Sequence, residues 1–229
     1  MTHHLLQYPS ETIVMPMRYY GSIAYYASMA AYGHAVIDAD AIFDKRQKAV
    51  HRCDIADTHG PVQLTVPVSK PHGIARARWS DVAVSGHGAW WHVHRVTLES
   101  AYGRSPFFEF YIDRFLPFLT KGVTERYPTV ASLNLAIDAE IRSILLLETA
   151  VTGSNSPDNS NSYLSYNSYN SYDRFSSAMA LYSRDMPPYW QVRGASQGFI
   201  ANLSILDLIF NLGPEAPLYL RSLLTRSNF

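Results

Sequence analysis

The sequence predicts an α/β or α+β fold, in which a mixed β-sheet from the N-terminal half is covered by helices mainly from the C-terminal half. Short strand-like apolar runs occupy roughly the first ninety residues, and helical spacing of apolar residues dominates after Gly88. Hydrophobic residues make up 47% of the 229 residues, which is enough for a substantial core. We therefore expect a single domain that spans residues 1–229.

The N-terminal half carries the strand-like runs. It opens as strand, loop, helix and strand, with Gly33 as the expected stop of the helix and Asp38 near the end of the second strand. Two later runs are separated by turn-forming residues, which predicts a hairpin. The expected elements are a strand at 11–16, a helix at 21–33, strands at 34–40, 49–55 and 62–68, and a strand at 77–85.

The C-terminal half carries the helices. One apolar face begins at Trp90, Ser105 is the expected N-cap of the next helix, and Asn202 or Ser204 can cap a later one. Five helices are expected in this half: one after Gly88, one that begins at Ser105, one at about 129–148, one that begins at Asn202 or Ser204, and one at 215–224.

A tract of Asn, Ser and Tyr interrupts this half at about 153–177. Such a composition buries too little apolar surface to offset the entropy of ordering. We expect a mobile, low-complexity surface insertion. A binding strip made by the repeated tyrosines is the alternative interpretation.

Composition narrows the class of protein. Nineteen basic and nineteen acidic residues cancel, and the pI is near 7.1, which is not the charge balance of a general nucleic-acid binder. Cys53 is the only cysteine, so no internal disulfide can form. The first residues do not read as a secretory signal, and no apolar run is long enough to span a membrane. The expected location is cytoplasmic.

Four sequence blocks point to a family. They are DKRQKAVHRCDI at 44–55, QLTVPV at 63–68, WWHVHRVTLESAYGRSPFFEFYIDRF at 90–115 and GFIANLSILDLIFNLGPEAPLYL at 198–220. In this order they resemble the WbqC-like family of bacterial proteins along nearly the whole chain. The Asn/Ser/Tyr tract falls between blocks, where a loop insertion is tolerated.

The resemblance implies a function only in outline. Some family members resemble products of gene clusters for O-antigen and other surface polysaccharides. The implied activity is an enzyme of surface-polysaccharide precursor metabolism, a transferase that moves an acyl, aminoacyl or related group to a sugar nucleotide. A non-catalytic binding or scaffold protein is the alternative, and the family supplies no catalytic residues to carry over.

Positive charge gathers before the strand expected at 49–55. Lys45, Arg46, His51 and Arg52 form the predicted anion-binding and substrate-binding cluster, because guanidinium groups match carboxylate or phosphate oxygens in two places at once. The expected partner is an anionic small molecule such as a sugar nucleotide. A solvated basic edge that limits strand pairing would give the same sequence pattern.

His94 and Tyr102 are the predicted catalytic residues. They lie two turns apart on the helix after Gly88, and an imidazole exchanges protons near neutral pH. A buried, hydrogen-bonded histidine among aromatic residues is the alternative. His92 and His94 point to opposite sides of a helix, so we expect no metal.

Cys53 and the loop at 16–20 are weaker candidates for a site. Cys53 lacks an orienting third group, and no phosphate-loop, dinucleotide or nucleophile-elbow motif occurs, so we expect no cofactor and no catalytic thiol. An anion could also lie against the loop at 16–20, near Arg18 and the start of the next helix, with Asp38 at the adjacent strand end. We favour an ordinary turn at that loop.

Overall fold

The N-terminal half supplies most of the strands and the C-terminal half most of the helices. The structure is a computed structural model that describes residues 12–71, 73–153, 162–184 and 186–226. The division into an N-terminal half rich in strands and a C-terminal half rich in helices confirms the predicted fold class. The strands are β1 (Thr12–Pro16), β2 (His34–Asp38), β3 (Arg52–Asp57), β4 (Gly60–Thr65), β5 (Val68–Ser69), β6 (Ala83–Val84) and β7 (Ala150–Gly153). The helices are α1 (Ile23–Ala30), α2 (Trp90–Tyr102), α3 (Phe108–Phe115), α4 (Val123–Arg126), α5 (Val130–Leu145), α6 (Ser162–Ser183), α7 (Gly194–Gln197), α8 (Ile205–Leu212) and α9 (Ala216–Arg226).

A three-stranded parallel sheet organises the protein. Its strand order is β1-β2-β7, and α1 connects β1 to β2 in a βαβ unit. All eight residues of α1 are buried, and the helix packs against α6, α8 and α9. The carboxyl ends of the parallel strands meet at one edge, which is where open parallel sheets usually bind ligands.

The predicted hairpin is confirmed as β3 and β4. The two strands pair antiparallel from Arg52 opposite Thr65 to Asp57 opposite Gly60. The strand predicted at 77–85 is much shorter, since only Ala83–Val84 pairs with β5. A 3-10 turn shortens it, and the backbone N–H of Arg78 donates to the Asp81 carboxylate there.

One predicted helix N-cap is confirmed and another was wrong. Ser204 caps α8, as expected, through its hydroxyl and the N–H of Leu206. Ser105 does not cap α3, which begins at Phe108; its hydroxyl instead donates to the carbonyl of Tyr102 at the end of α2. The prediction for Ser105 was wrong because this hydroxyl serves the preceding helix.

Part of the Asn/Ser/Tyr tract is helical. It belongs to α6, which packs against β1 and α1. Phe175, near the end of the tract, is buried, as are Ala178 and Tyr182 just after it, so this end of α6 is part of the core. Polar residues between the aromatic positions concealed the helical period. The portion at 154–161 lies outside the described residues.

Among the helices in the described part of the chain, none is both long and apolar enough to cross a bilayer.

Candidate functional site

A cavity of about 180 Å³ lies at the carboxyl end of β1. We call it the strand-end cavity. Three segments distant in sequence build it, the turn between β1 and α1, the start of β3 and the residues before α8, and α6 adds one side chain. Its lining residues are Arg18, Tyr19, Tyr20, Gly21, Ser22, Tyr25, Ala49, Arg52, Cys53, Asp54, Met179, Asn202 and Ser204.

Backbone strain concentrates around this cavity. Tyr20 and Asn202 both have positive φ, at 42° and 53°, and both line the cavity. A residue with a side chain enters this region at a cost, and such residues gather at functional sites. Gly21 adds a steric requirement, because a Cβ there would lie 2.6 Å from Cδ1 of Tyr25. The surrounding packing therefore holds the turn in a strained shape.

The N-terminus of α1 faces the same region, but its donors are already used. The N–H of Ile23 donates to the carbonyl of Leu203 at 3.0 Å, and that of Ala24 to Oδ1 of Asn202 at 2.9 Å. The hydroxyl of Ser22 accepts from the N–H of Tyr25. A ligand anion would therefore have to be held by side chains and not by the helix terminus.

Two arginines bring positive charge to the cavity. Within the described residues, neither Arg18 nor Arg52 has a carboxylate at ion-pair distance. Nη1 of Arg52 donates to Oε1 of Gln63 at 3.0 Å, while its Nε is buried and has no partner in the described part of the chain. Burial lowers the pKa of Arg18. Both guanidinium groups thus retain unused capacity to bind an anion.

One carboxylate moderates this charge. Asp54 also lines the cavity, and its Oδ1 accepts a hydrogen bond of 2.9 Å from Nε2 of Gln63. Gln63 therefore stands between Arg52 and Asp54 and keeps them from pairing directly. With Arg18 and Arg52 counted as two positive charges and Asp54 as one negative charge, the lining is cationic by one charge.

The thiol of Cys53 is a poor nucleophile in this setting. The side chain is buried, and burial raises its pKa far above the usual range. The neighbouring hydroxyl of Ser204 donates to the carbonyl of Tyr20, so it is used to fix the turn. The thiolate that covalent catalysis requires is therefore disfavoured at neutral pH.

The structure separates the predicted anion-binding cluster. Arg52 lines the cavity, but Lys45 and Arg46 lie in an exposed loop, where Arg46 pairs with Asp44 at 2.7 Å. Nδ1 of His51 lies 3.1 Å from the carbonyl of Val66. Of the four residues, only Arg52 lines this cavity.

His94 lies behind the cavity wall and does not line it. Its Nδ1 is 2.9 Å from the hydroxyl of Tyr19, and its Nε2 is 3.2 Å from the carbonyl of Thr65. Because a carbonyl only accepts, Nε2 carries the proton and the Tyr19 hydroxyl donates to Nδ1. Burial lowers the pKa of His94 to about 4, which keeps the ring neutral at pH 7. His94 can therefore influence the cavity through Tyr19.

Tyr102 is also a buried residue. Its hydroxyl accepts a hydrogen bond of 3.2 Å from the N–H of Ala56 in β3, and burial raises its pKa. The structure places Tyr102 against the hairpin, outside the cavity lining. A catalytic role for His94 and Tyr102 remains a prediction.

Several lining residues were not predicted as a site. Asn202 and Ser204 were interpreted as helix caps, yet they reach the turn after β1 through the bridge between Ser22 and Ser204. Met179 lay close to a tract interpreted as a surface insertion. The turn with Arg18 was considered and then interpreted as an ordinary turn. No local pattern connects these segments, so only the tertiary fold reveals the cavity.

Within the described residues, no group of three or more histidine, cysteine, aspartate or glutamate side chains is arranged to hold a metal ion.

The fold and the cavity define an α/β protein with a cationic cavity at the carboxyl end of a parallel sheet. The sequence model of the WbqC-like protein family matches residues 18–168, and the chain belongs to that family. The match includes Arg18 and Arg52 but ends before the block at 198–220. No curated protein and no solved structure matches the chain.

Proposed function

We propose that the protein binds an anionic small molecule, such as the diphosphate of a sugar nucleotide, in the strand-end cavity. We further propose that it is a transferase of surface-polysaccharide precursor metabolism, moving an acyl, aminoacyl or related group. One observation carries the binding proposal: Arg18 and Arg52 line one cavity and have no carboxylate partner among the described residues.

Arginine suits this ligand class for a physical reason. Its planar guanidinium presents several N–H donors that match phosphate or carboxylate oxygens, and it stays charged at neutral pH. The guanidinium N–H groups of Arg52 that face the cavity could donate to an anionic ligand, and a hydrogen bond to a charged group is worth about 1.5–3 kcal/mol. An apolar ligand would accept no hydrogen bond from these groups.

The reaction class is supported by family membership and not by a catalytic motif. Resemblance links the family to surface polysaccharides, whose precursors are nucleotide-linked sugars. In this proposal His94 and Tyr102 support the site from behind. His94 fixes the hydroxyl of Tyr19, a lining residue, and Tyr102 fixes the backbone of Ala56 in the hairpin that carries Arg52.

Calorimetric titration with UDP-glucose and UDP-N-acetylglucosamine tests the binding proposal. We expect Arg52→Ala to weaken binding by about 1.5–3 kcal/mol, the range for a hydrogen bond to a charged group. Arg46→Ala is the matched control, because Arg46 is exposed and already paired with Asp44. Equal affinities of the wild type and Arg52→Ala would reject the assignment of the cavity, whatever Arg46→Ala does.

A further inference from the structure

One face of α6 carries Tyr172, Phe175 and Met179, of which Met179 lines the strand-end cavity. The hydroxyl of Tyr172 donates to Oδ2 of Asp38 at 2.7 Å, which ties the helix to the carboxyl end of β2. The ring of Phe175 lies one turn further along the helix, and Met179, another turn on, lines the cavity. Residues spaced by three and four positions share one helix face, so Tyr172, Phe175 and Met179 lie on the same face of α6.

Phe175 lies beside Arg18, one of the two arginines that line the cavity. Cζ of Arg18 lies 5.9 Å from the centroid of the Phe175 ring. The ring is 5% exposed and packs edge-on against Tyr25, another lining residue, at 5.9 Å. This edge-on contact with Tyr25 and the burial of the ring fix the position from which Phe175 meets Arg18.

An aromatic partner differs from a carboxylate partner in its effect on a cation. The electron-rich ring face attracts the guanidinium, so it offsets part of the cost of taking the charge out of water. The ring does not neutralise the charge and takes up none of its strong hydrogen-bond donors. A carboxylate would neutralise the charge and would also occupy those donors. Arg18 is therefore held in place while its charge stays available to an anion.

We propose that Phe175 is a positioning residue of the strand-end cavity, which orients Arg18 toward the anionic group of the ligand. This inference rests on the proposed function, because Arg18 must meet an anion for its orientation to matter. It adds α6, a helix of which only the first part lies in the family match, to the binding site. A residue that only packs in the core would stabilise the fold without any specific link to Arg18.

A double-mutant cycle separates these two roles. The wild type, Phe175→Leu, Arg18→Gln and the double variant are titrated with inorganic pyrophosphate and with UDP-glucose. Phe175→Leu should weaken binding by about two- to five-fold in the wild type, the effect of an ordinary cation–π contact. The same substitution should leave affinity unchanged in the Arg18→Gln background. Phe110→Leu is the control, because Phe110 is 75% exposed on α3 and does not line the cavity.

Each outcome decides between the claims. If Phe175→Leu weakens binding equally in both backgrounds, or not at all, while Arg18→Gln weakens it, the positioning role is wrong and the proposed function stands. If the wild type binds neither probe, the proposed function fails and the positioning role fails with it. The Nε–H resonance of Arg18, assigned by its loss in Arg18→Gln, supplies a readout without ligand. It should move downfield in Phe175→Leu, where the ring current is removed, and an unmoved resonance would overturn the contact.

Discussion

Two basic regions of this protein differ in how their charge is compensated. In the exposed loop, Arg46 is 86% exposed at its side chain and forms an ion pair with Asp44. At the strand-end cavity, Arg18 and Arg52 are partly buried and have no carboxylate partner among the described residues. In the exposed loop, water and the carboxylate of Asp44 accept the hydrogen bonds of the Arg46 guanidinium. At the cavity, the guanidinium groups have no such carboxylate partner in the described part of the chain.

Under the proposed function, the difference would make density of charge in a sequence a poor guide to the binding site. The loop and the strand that follows it concentrate five of the basic or histidine residues of the chain, yet of these only Arg52 lines the cavity. Arg18 stands alone among apolar and aromatic residues in the sequence. Arg18 nevertheless lines the cavity, and no carboxylate in the described part of the chain lies at ion-pair distance from it. The free energy available to a ligand depends on missing partners and limited hydration.

Charge reversal in the two regions should give the largest contrast. Arg52→Glu removes a donor group and places a second carboxylate beside Asp54 in the cavity lining. We expect affinity for UDP-glucose to fall by about 100-fold or more, which corresponds to about 3 kcal/mol. Arg46→Glu makes the same change of charge in the exposed loop and should leave affinity within error. Calorimetry on the three proteins at one ionic strength measures the contrast, and similar losses in both variants would indicate a long-range charge effect instead of a site.

His94, which is buried behind the cavity wall, should make the free energy of unfolding depend on pH. Burial lowers the pKa of folded His94 from 6.5 to about 4, so the unfolded chain binds more protons between these values. The free energy of unfolding should therefore be fully maintained above pH 6.5 and should fall as pH drops toward 4, by about 3 kcal/mol from this residue. Urea unfolding at several pH values measures this slope.

His94→Gln isolates the contribution of the imidazole. A glutamine can accept from Tyr19 and donate to the carbonyl of Thr65, but it does not titrate. Other buried groups, such as Asp138 and Asp207, titrate equally in both proteins and cancel in the difference. The difference between wild type and variant should narrow toward acidic pH. Parallel curves would mean that His94 is more hydrated than its contacts indicate.

The sequence predicted those elements whose signal is local. The hairpin of β3 and β4, α2 and α8 follow from alternation, helical spacing and capping within short windows. The helical stretch around Phe175 was missed because Asn and Ser dominate its composition and hide the aromatic spacing. The cavity was beyond prediction because it needs Ser204 against the carbonyl of Tyr20, a contact between residues 184 positions apart.

The strained turn around the cavity should be less tolerant than the exposed loop. Asn202 adopts a φ of 53° and caps the N–H of Ala24. Asn202→Ala loses the cap and places an alanine in the left-handed region, so the free energy of unfolding should fall by about 1–2 kcal/mol. Asn202→Gly loses the same cap but accepts the backbone conformation, so it should cost less. Equal losses in urea unfolding would mean that the backbone strain contributes nothing.

The smallest effect should come from the ion pair of the exposed loop. Hydrogen bonds from Arg46 lower the pKa of Asp44, but both groups are in water, and such pairs contribute little. Asp44→Asn should therefore leave both the midpoint of urea unfolding and the affinity for UDP-glucose unchanged. The variant also frees Arg46 from its carboxylate, so the loop then carries a guanidinium group without a carboxylate partner, as the cavity does. A rise in affinity would mean that a guanidinium group without a carboxylate partner is enough to create a binding site. An unchanged affinity would mean that a binding site also needs limited hydration, which the cavity provides and the exposed loop does not.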